Sequence, residues 1–104
     1  MTNLGEAQKQ TTRGLKRKLD ALEIRGNNCY NEWMDAFSKV YGLKAAIKRT
    51  RVTSHDDKRL MKRLKAKLRT SKIHEQECYA LWVNAESLLD EGYDLVDESE
   101  GLDV

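Results

Sequence analysis

Apolar residues recur along this chain in alternating steps of four and three. One run is Leu15, Leu19, Leu22, Gly26, Cys29, Trp33, Ala36, Val40, Leu43 and Ile47. A second is Leu64, Leu68, Ser71, Glu75, Cys78, Trp82, Ala85, Leu89, Gly92 and Val96, and only Gly26, Ser71, Glu75 and Gly92 are minimal or polar. Such steps put one residue per turn on a single helical stripe, the seam of a coiled coil. No stretch has the period of two that a strand requires. The pattern predicts two long helices, at about 5–49 and about 55–98. Asn3 with Glu6 and Ser54 with Asp57 are spaced as N-terminal capping pairs. A turn at about 50–54 joins the helices, and an acidic tail over 99–104 follows the second.

The expected fold class is all-α: a single helical domain over 1–104, folded as an antiparallel two-helix hairpin resembling a coiled coil. With helices of nearly equal length and a bend centred on Val52, residue i is expected opposite residue 104 − i. Trp33 then faces Ser71, Trp82 faces Leu22, Ala36 faces Leu68, Ala85 faces Leu19, Val40 faces Leu64 and Leu15 faces Leu89. Large residues meet small ones, as knobs-into-holes packing needs. The alternative is a compact three- or four-helix bundle in which Gly26-Asn27-Asn28 breaks the first helix.

The two runs are also alike in sequence. Shifted by 49 residues without a gap, positions 8–38 and 57–87 are identical at eleven of 31 pairs. Cys29-Tyr30 and Trp33 fall on Cys78-Tyr79 and Trp82, which lysine and leucine richness cannot explain. An internal 49-residue repeat gives the expected hairpin a pseudo-twofold axis near Cys29 and Cys78. A two-helix pair buries only a narrow stripe. Tyr30, Phe37, Tyr79, Leu81, Leu88, Tyr93 and Leu95 flank that stripe and are expected to stay partly exposed. They are assigned to self-association, most simply a dimer that forms a four-helix bundle. Leftover surface for a foreign protein is the competing use.

Composition narrows the class. Hydrophobic residues are 39% and charged residues 35% of 104, and there is no proline. No stretch approaches ~18 uninterrupted apolar residues, so a membrane span is excluded. Two cysteines are too few for a disulfide scaffold, and no secretory signal opens the sequence, so the expected location is cytoplasmic.

The net charge of +2 conceals segregation. Residues 44–72 hold twelve Lys or Arg against Asp56 and Asp57, whereas residues 75–104 hold ten acids and no Lys or Arg. In a hairpin Lys44, Lys48, Arg49, Arg51, Lys58, Arg59, Lys62, Arg63, Lys65, Lys67, Arg69 and Lys72 gather at one end. Such a cluster suits phosphates without sequence readout. No aromatic residue interleaves the basic run, so stacking on single strands is not expected from it. The acidic 86–103 stretch suits a basic protein partner, or the basic tip of another copy.

Chemistry beyond binding finds little footing. Cys29, Cys78, His74 and Glu75 are the nearest approach to a zinc set, but the spacing lacks any CxxC or HxxxH, so small core cysteines are expected and no metal or cofactor. Neither His55 nor His74 has a triad-like neighbourhood, and no glycine-rich loop cradles phosphate. Trp33 and Trp82 are assigned to the seam. The expected function is a non-enzymatic, self-associating helical assembly or interaction module whose basic tip contacts nucleic acid. The alternatives are a dedicated, sequence-nonspecific nucleic-acid-binding protein, and an inhibitor or adaptor of a host protein.

Overall fold

A computed structural model of the chain describes residues 4–101, with side chains from residue 9 onward. It is all-helical: α1 spans Leu4–Arg49 and α2 spans His55–Gly101, with no strand among the described residues. The Asn3–Glu6 capping pair and residues 102–104 lie outside the described residues. No helix among them is long and apolar enough to cross a membrane.

α1 runs unbroken through Gly26-Asn27-Asn28, so the bundle with a break there is not the fold. No glycine among the described residues has a positive φ. Gly26 is instead a buried seam residue, and a β-carbon there would lie 3.4 Å from Glu86 Oε1. That is an ordinary contact with the end of a flexible side chain, and packing along the stripe outweighs the weak helix propensity of the three residues.

The connector is built from local hydrogen bonds. Thr50 closes α1, its N–H donating to Ala46 O at 3.0 Å and its Oγ1 to the same carbonyl at 2.7 Å. α2 opens on a reciprocal cap. Asp57 N–H donates to Ser54 Oγ at 3.1 Å, and Asp57 Oδ2 accepts from Ser54 N–H at 3.1 Å. The same oxygen also accepts from Thr53 N–H at 3.0 Å and Thr53 Oγ1 at 2.8 Å. These bonds, those from Thr53 foremost, hold the Asp57 carboxyl below its ordinary value.

The chain divides into two compact units. The turn unit is Tyr30–Leu81; the terminal unit joins residues up to Cys29 with those from Trp82 onward. In each, α1 packs antiparallel against α2 along the heptad stripe. In the terminal unit Thr12, Leu19, Gly26, Ala85, Val96 and Ser99 are buried; in the turn unit Ala36, Val40, Ser71 and Cys78 are. The stripe thus extends beyond the apolar run, to Thr12 at one end and Ser99 at the other.

The register differs from 104 − i. In the terminal unit Thr12 and Ser99 hydrogen-bond through their hydroxyls, and a β-carbon on Gly92 would lie 3.1 Å from Leu19 Cδ1. Both pairs sum to 111. In the turn unit Trp33 donates from Nε1 to Glu75 Oε1 at 2.8 Å and meets the Tyr79 ring at 5.3 Å between centroids, sums of 108 and 112. Trp33 therefore lies against the Glu75–Tyr79 turn rather than opposite Ser71, and Leu19 lies against Gly92 rather than Ala85. The connector explains this. Extended residues advance about 3.3 Å each and helical ones about 1.5 Å. If the non-helical residues 51–53 run extended, they climb about 10 Å, which α2 needs about seven residues to descend again.

The shifted register keeps large against small. α2 presents Ser71, Cys78, Ala85, Gly92 and Ser99 at every seventh position. These small residues let α1's Leu19, Trp33 and Val40 sit close to the opposing backbone.

Candidate nucleic-acid interface

All twelve bases of residues 44–72 fall in the turn unit. Lys44, Lys48 and Arg49 lie on the last turns of α1, Arg51 lies in the connector, and the remaining eight run from Lys58 to Lys72 along α2. All twelve side chains are exposed, and among the described residues none has a carboxylate within ion-pair distance. Arg49 Nε donates to the Ala45 carbonyl at 3.3 Å. Asp56 and Asp57 do not balance the cluster, since Asp57 is spent on the α2 cap.

The terminal unit treats its bases differently. α1 supplies Lys9, Arg13, Lys16, Arg17, Lys18 and Arg25, and α2 supplies the acidic segment from Glu86 on. Lys16 Nζ stands 2.7 Å from a Glu100 carboxylate oxygen. On the same flank Tyr93 donates its hydroxyl hydrogen to Glu23. That bond first, then desolvation and nearby acids, raises the Tyr93 phenol above its ordinary value. By sequence the terminal unit holds six bases and eleven acids and the turn unit thirteen bases and six acids, so their net charges are −5 and +7.

Within the turn unit the two flanks of the seam are unlike. With seam positions labelled a and d, antiparallel pairing sets the e positions of both helices on one flank and the g positions on the other. The e flank, with the adjoining b positions, carries Lys44 and Lys48 from α1 and Lys58, Lys62, Lys65, Arg69 and Lys72 from α2, with no acid. Lys62, Lys65, Leu68 and Arg69 share one shallow depression there. The g flank is mixed: Glu32, Asp35, Lys39 and His74 line one depression, and Lys39, His74 and Glu77 border another. Arg63 and Lys67 belong to that mixed side and Arg59 to the outer face of α2.

The e flank also carries aromatic rings. Tyr30 and Phe37 lie one helical turn to either side of Trp33, at 6.0 and 6.3 Å between ring centroids, and Tyr79 meets Trp33 from α2. Trp33 itself is half-buried in the seam, tied to Glu75. Tyr30, Phe37 and Tyr79 are 43%, 47% and 47% exposed, and Tyr41, one turn beyond Phe37, is 71% exposed. Tyr41 is the residue that inspection of the linear sequence passes over. The signal that finds it is its b position in the heptad, next to the e stripe of Tyr30, Phe37 and Lys44. Residues assigned to self-association are split between the units: Tyr30, Phe37, Tyr79 and exposed Leu81 in the turn unit, half-buried Leu88 with exposed Tyr93 and Leu95 in the terminal unit.

Both cysteines are free thiols, Cys78 buried and Cys29 half-buried. Cys78 Sγ lies 3.6 Å from His74 Nε2, one turn away on α2. Among the described residues no three His, Cys, Asp or Glu side chains converge as a metal site would require. The sequence matches no family model, and neither a curated protein nor a solved structure is significantly similar to it.

Proposed function

We propose that this chain is a non-enzymatic helical module whose turn unit holds nucleic acid by its phosphates, without reading base sequence. One observation carries the reading: twelve exposed cations gathered in one unit without carboxylate partners among the described residues. Concentrated cation of this kind repels itself. A polyanion relieves that repulsion and releases its own counterions on binding. The test is binding of a labelled duplex oligonucleotide across a salt series. With about five phosphates engaged, affinity is expected to fall on the order of 10²–10³ between about 50 and 200 mM salt. Salt-independent binding, or no binding at the low-salt end, refutes the proposal.

A second reading is favoured by exposed leucine: Leu81 in the turn unit and Leu95 in the terminal unit are 50% and 51% exposed. It is self-association, in its simplest form a dimer completing a four-helix bundle, with the 49-residue repeat supplying two related surfaces. Sedimentation at micromolar concentration is expected to give a dimer mass, and a strict monomer removes this reading. The free thiols fit a reducing compartment, for which we take the cytoplasm.

A further inference from the structure

We infer that the e flank of the turn unit is a platform for single-stranded nucleic acid, on which bases stack against exposed rings while phosphates follow the lysine row. The inference rests on the phosphate-binding reading above and narrows its ligand to a strand whose bases are unpaired.

The flank brings two chemistries together in one unit. Along α2, Lys58, Lys62, Lys65, Arg69 and Lys72 recur in steps of four and three, a row about 21 Å long. On α1, Lys44 and Lys48 continue the same flank toward the connector. Beyond the cations lie the rings. Tyr30, Phe37 and Tyr79 are each held by an edge or tilted contact with Trp33, yet each keeps more than two-fifths of its surface exposed. Tyr41 stands between Phe37 and the Lys44–Lys48 pair, 71% exposed. Rings anchored by a neighbouring ring yet more than two-fifths exposed are pre-organised to stack, since little side-chain freedom remains to be lost. A positive groove lined by such rings is the general form of sequence-tolerant single-strand recognition.

The charge pattern disfavours a second copy docked through the same flank. Seven cations and no acid on the flank make two such flanks repel each other. An apolar protein face would bury the rings but leave the lysines unmatched. A duplex satisfies the lysines and offers no open base face to the rings. A polyanion with exposed π-faces uses both.

The experiment measures binding of four labelled probes at one low salt concentration: oligo(dT), oligo(rU), a duplex of equal length, and heparin, a polyanion without bases. The variants are Tyr41→Ala and Phe37→Leu. Tyr41 makes no ring contact, and leucine at 37 keeps an apolar group against Trp33, so both are expected to retain wild-type helicity by circular dichroism. Each lost ring is expected to weaken oligo(dT) and oligo(rU) by roughly five- to a hundredfold. Heparin affinity is expected to change less than about twofold, because it depends on charge alone. The tighter of the two single strands then identifies the biological source, RNA or DNA. If all four probes bind and neither variant separates the single strands from heparin, the stacking platform is refuted and phosphate binding stands. If the wild type binds none of the four, both fall. A concentration-dependent oligomer that Phe37→Leu dissolves, without any change in oligo(dT) binding, makes a second copy the occupant and overturns the inference.

Discussion

The terminal and turn units are built from the same two helices and the same heptad stripe, yet they dispose of charge in opposite ways. In the terminal unit a basic stretch of α1 is laid against an acidic stretch of α2, and Lys16 reaches Glu100 at 2.7 Å. In the turn unit the basic end of α1 is laid against the basic start of α2, and no cation there has a carboxylate partner among the described residues. Opposite charge across a seam supports the pairing, whereas like charge works against it. The turn unit must therefore hold itself together by its connector and its apolar stripe. Its unmatched charge is left available to something else.

The largest effect should come from reversing that charge. Lys62→Glu with Lys65→Glu and Arg69→Glu is expected to weaken binding to a labelled oligonucleotide by more than about a hundredfold. The matched reversal of Lys9, Arg13 and Lys16, in a unit of net charge −5 where Lys16 pairs with Glu100, is expected to cost less than about fivefold. Equal losses would erase the distinction between the units. Next in size is packing. Gly92→Leu forces a side chain into a space where Leu19 and Leu22 lie 3.1 and 3.3 Å from a bare β-carbon, so urea unfolding should show a loss of about 2–3 kcal/mol. In the turn unit Gly42→Leu should be tolerated, because nothing lies within 4 Å of its β-carbon.

The cap of α2 comes third. Ser54→Ala removes the acceptor for Asp57 N–H and should cost about 1 kcal/mol. Gly14→Ala and Gly42→Ala, one in each unit and both with open space around the new methyl, should each stabilise the chain by about 0.5–1 kcal/mol. The smallest effect is with pH. The Asp57 carboxyl is held below its ordinary value of 3.8 by its bonds to Thr53 and Ser54. Its contribution is therefore fully present above that value and is lost as pH falls through the lowered one. Asp57→Asn should remove this acid dependence, measured as thermal midpoint against pH.

Much of this architecture is legible in the residues alone. The alternation of four and three marks the stripe from Leu15 to Ile47 and from Leu64 to Val96, and every one of these positions is buried or half-buried. Ser54 and Asp57 announce the start of α2 because the capping interaction is local. The register is not legible, for a physical reason: sliding one helix by a heptad returns every apolar residue to the seam. The choice between 104 − i and 111 − i rests on the connector and on single layers such as Thr12–Ser99, neither of which a hydropathy pattern shows. The aromatic flank was hidden differently. Tyr30, Phe37 and Tyr41 are remote in sequence from Lys58–Lys72, and linear inspection finds no ring within the basic run. The helical wheel brings them to one side once the seam is fixed. Gly26 misleads for the opposite reason, since a breaker by propensity is carried through in an unbroken helix when its position lies on the packed stripe.

The hydroxyl pair at the far end of the stripe has a consequence of its own. Repeats of seven act as notches, and an antiparallel pair can in principle rest in more than one of them. In the neighbouring notch Thr12 would meet Gly92 and Ser99 would meet Gly5, and neither glycine offers a side chain to which a hydroxyl can bond. In the occupied notch the two hydroxyls satisfy each other out of water. The Thr12–Ser99 layer thus favours the occupied notch in the terminal unit, because there each hydroxyl finds the other.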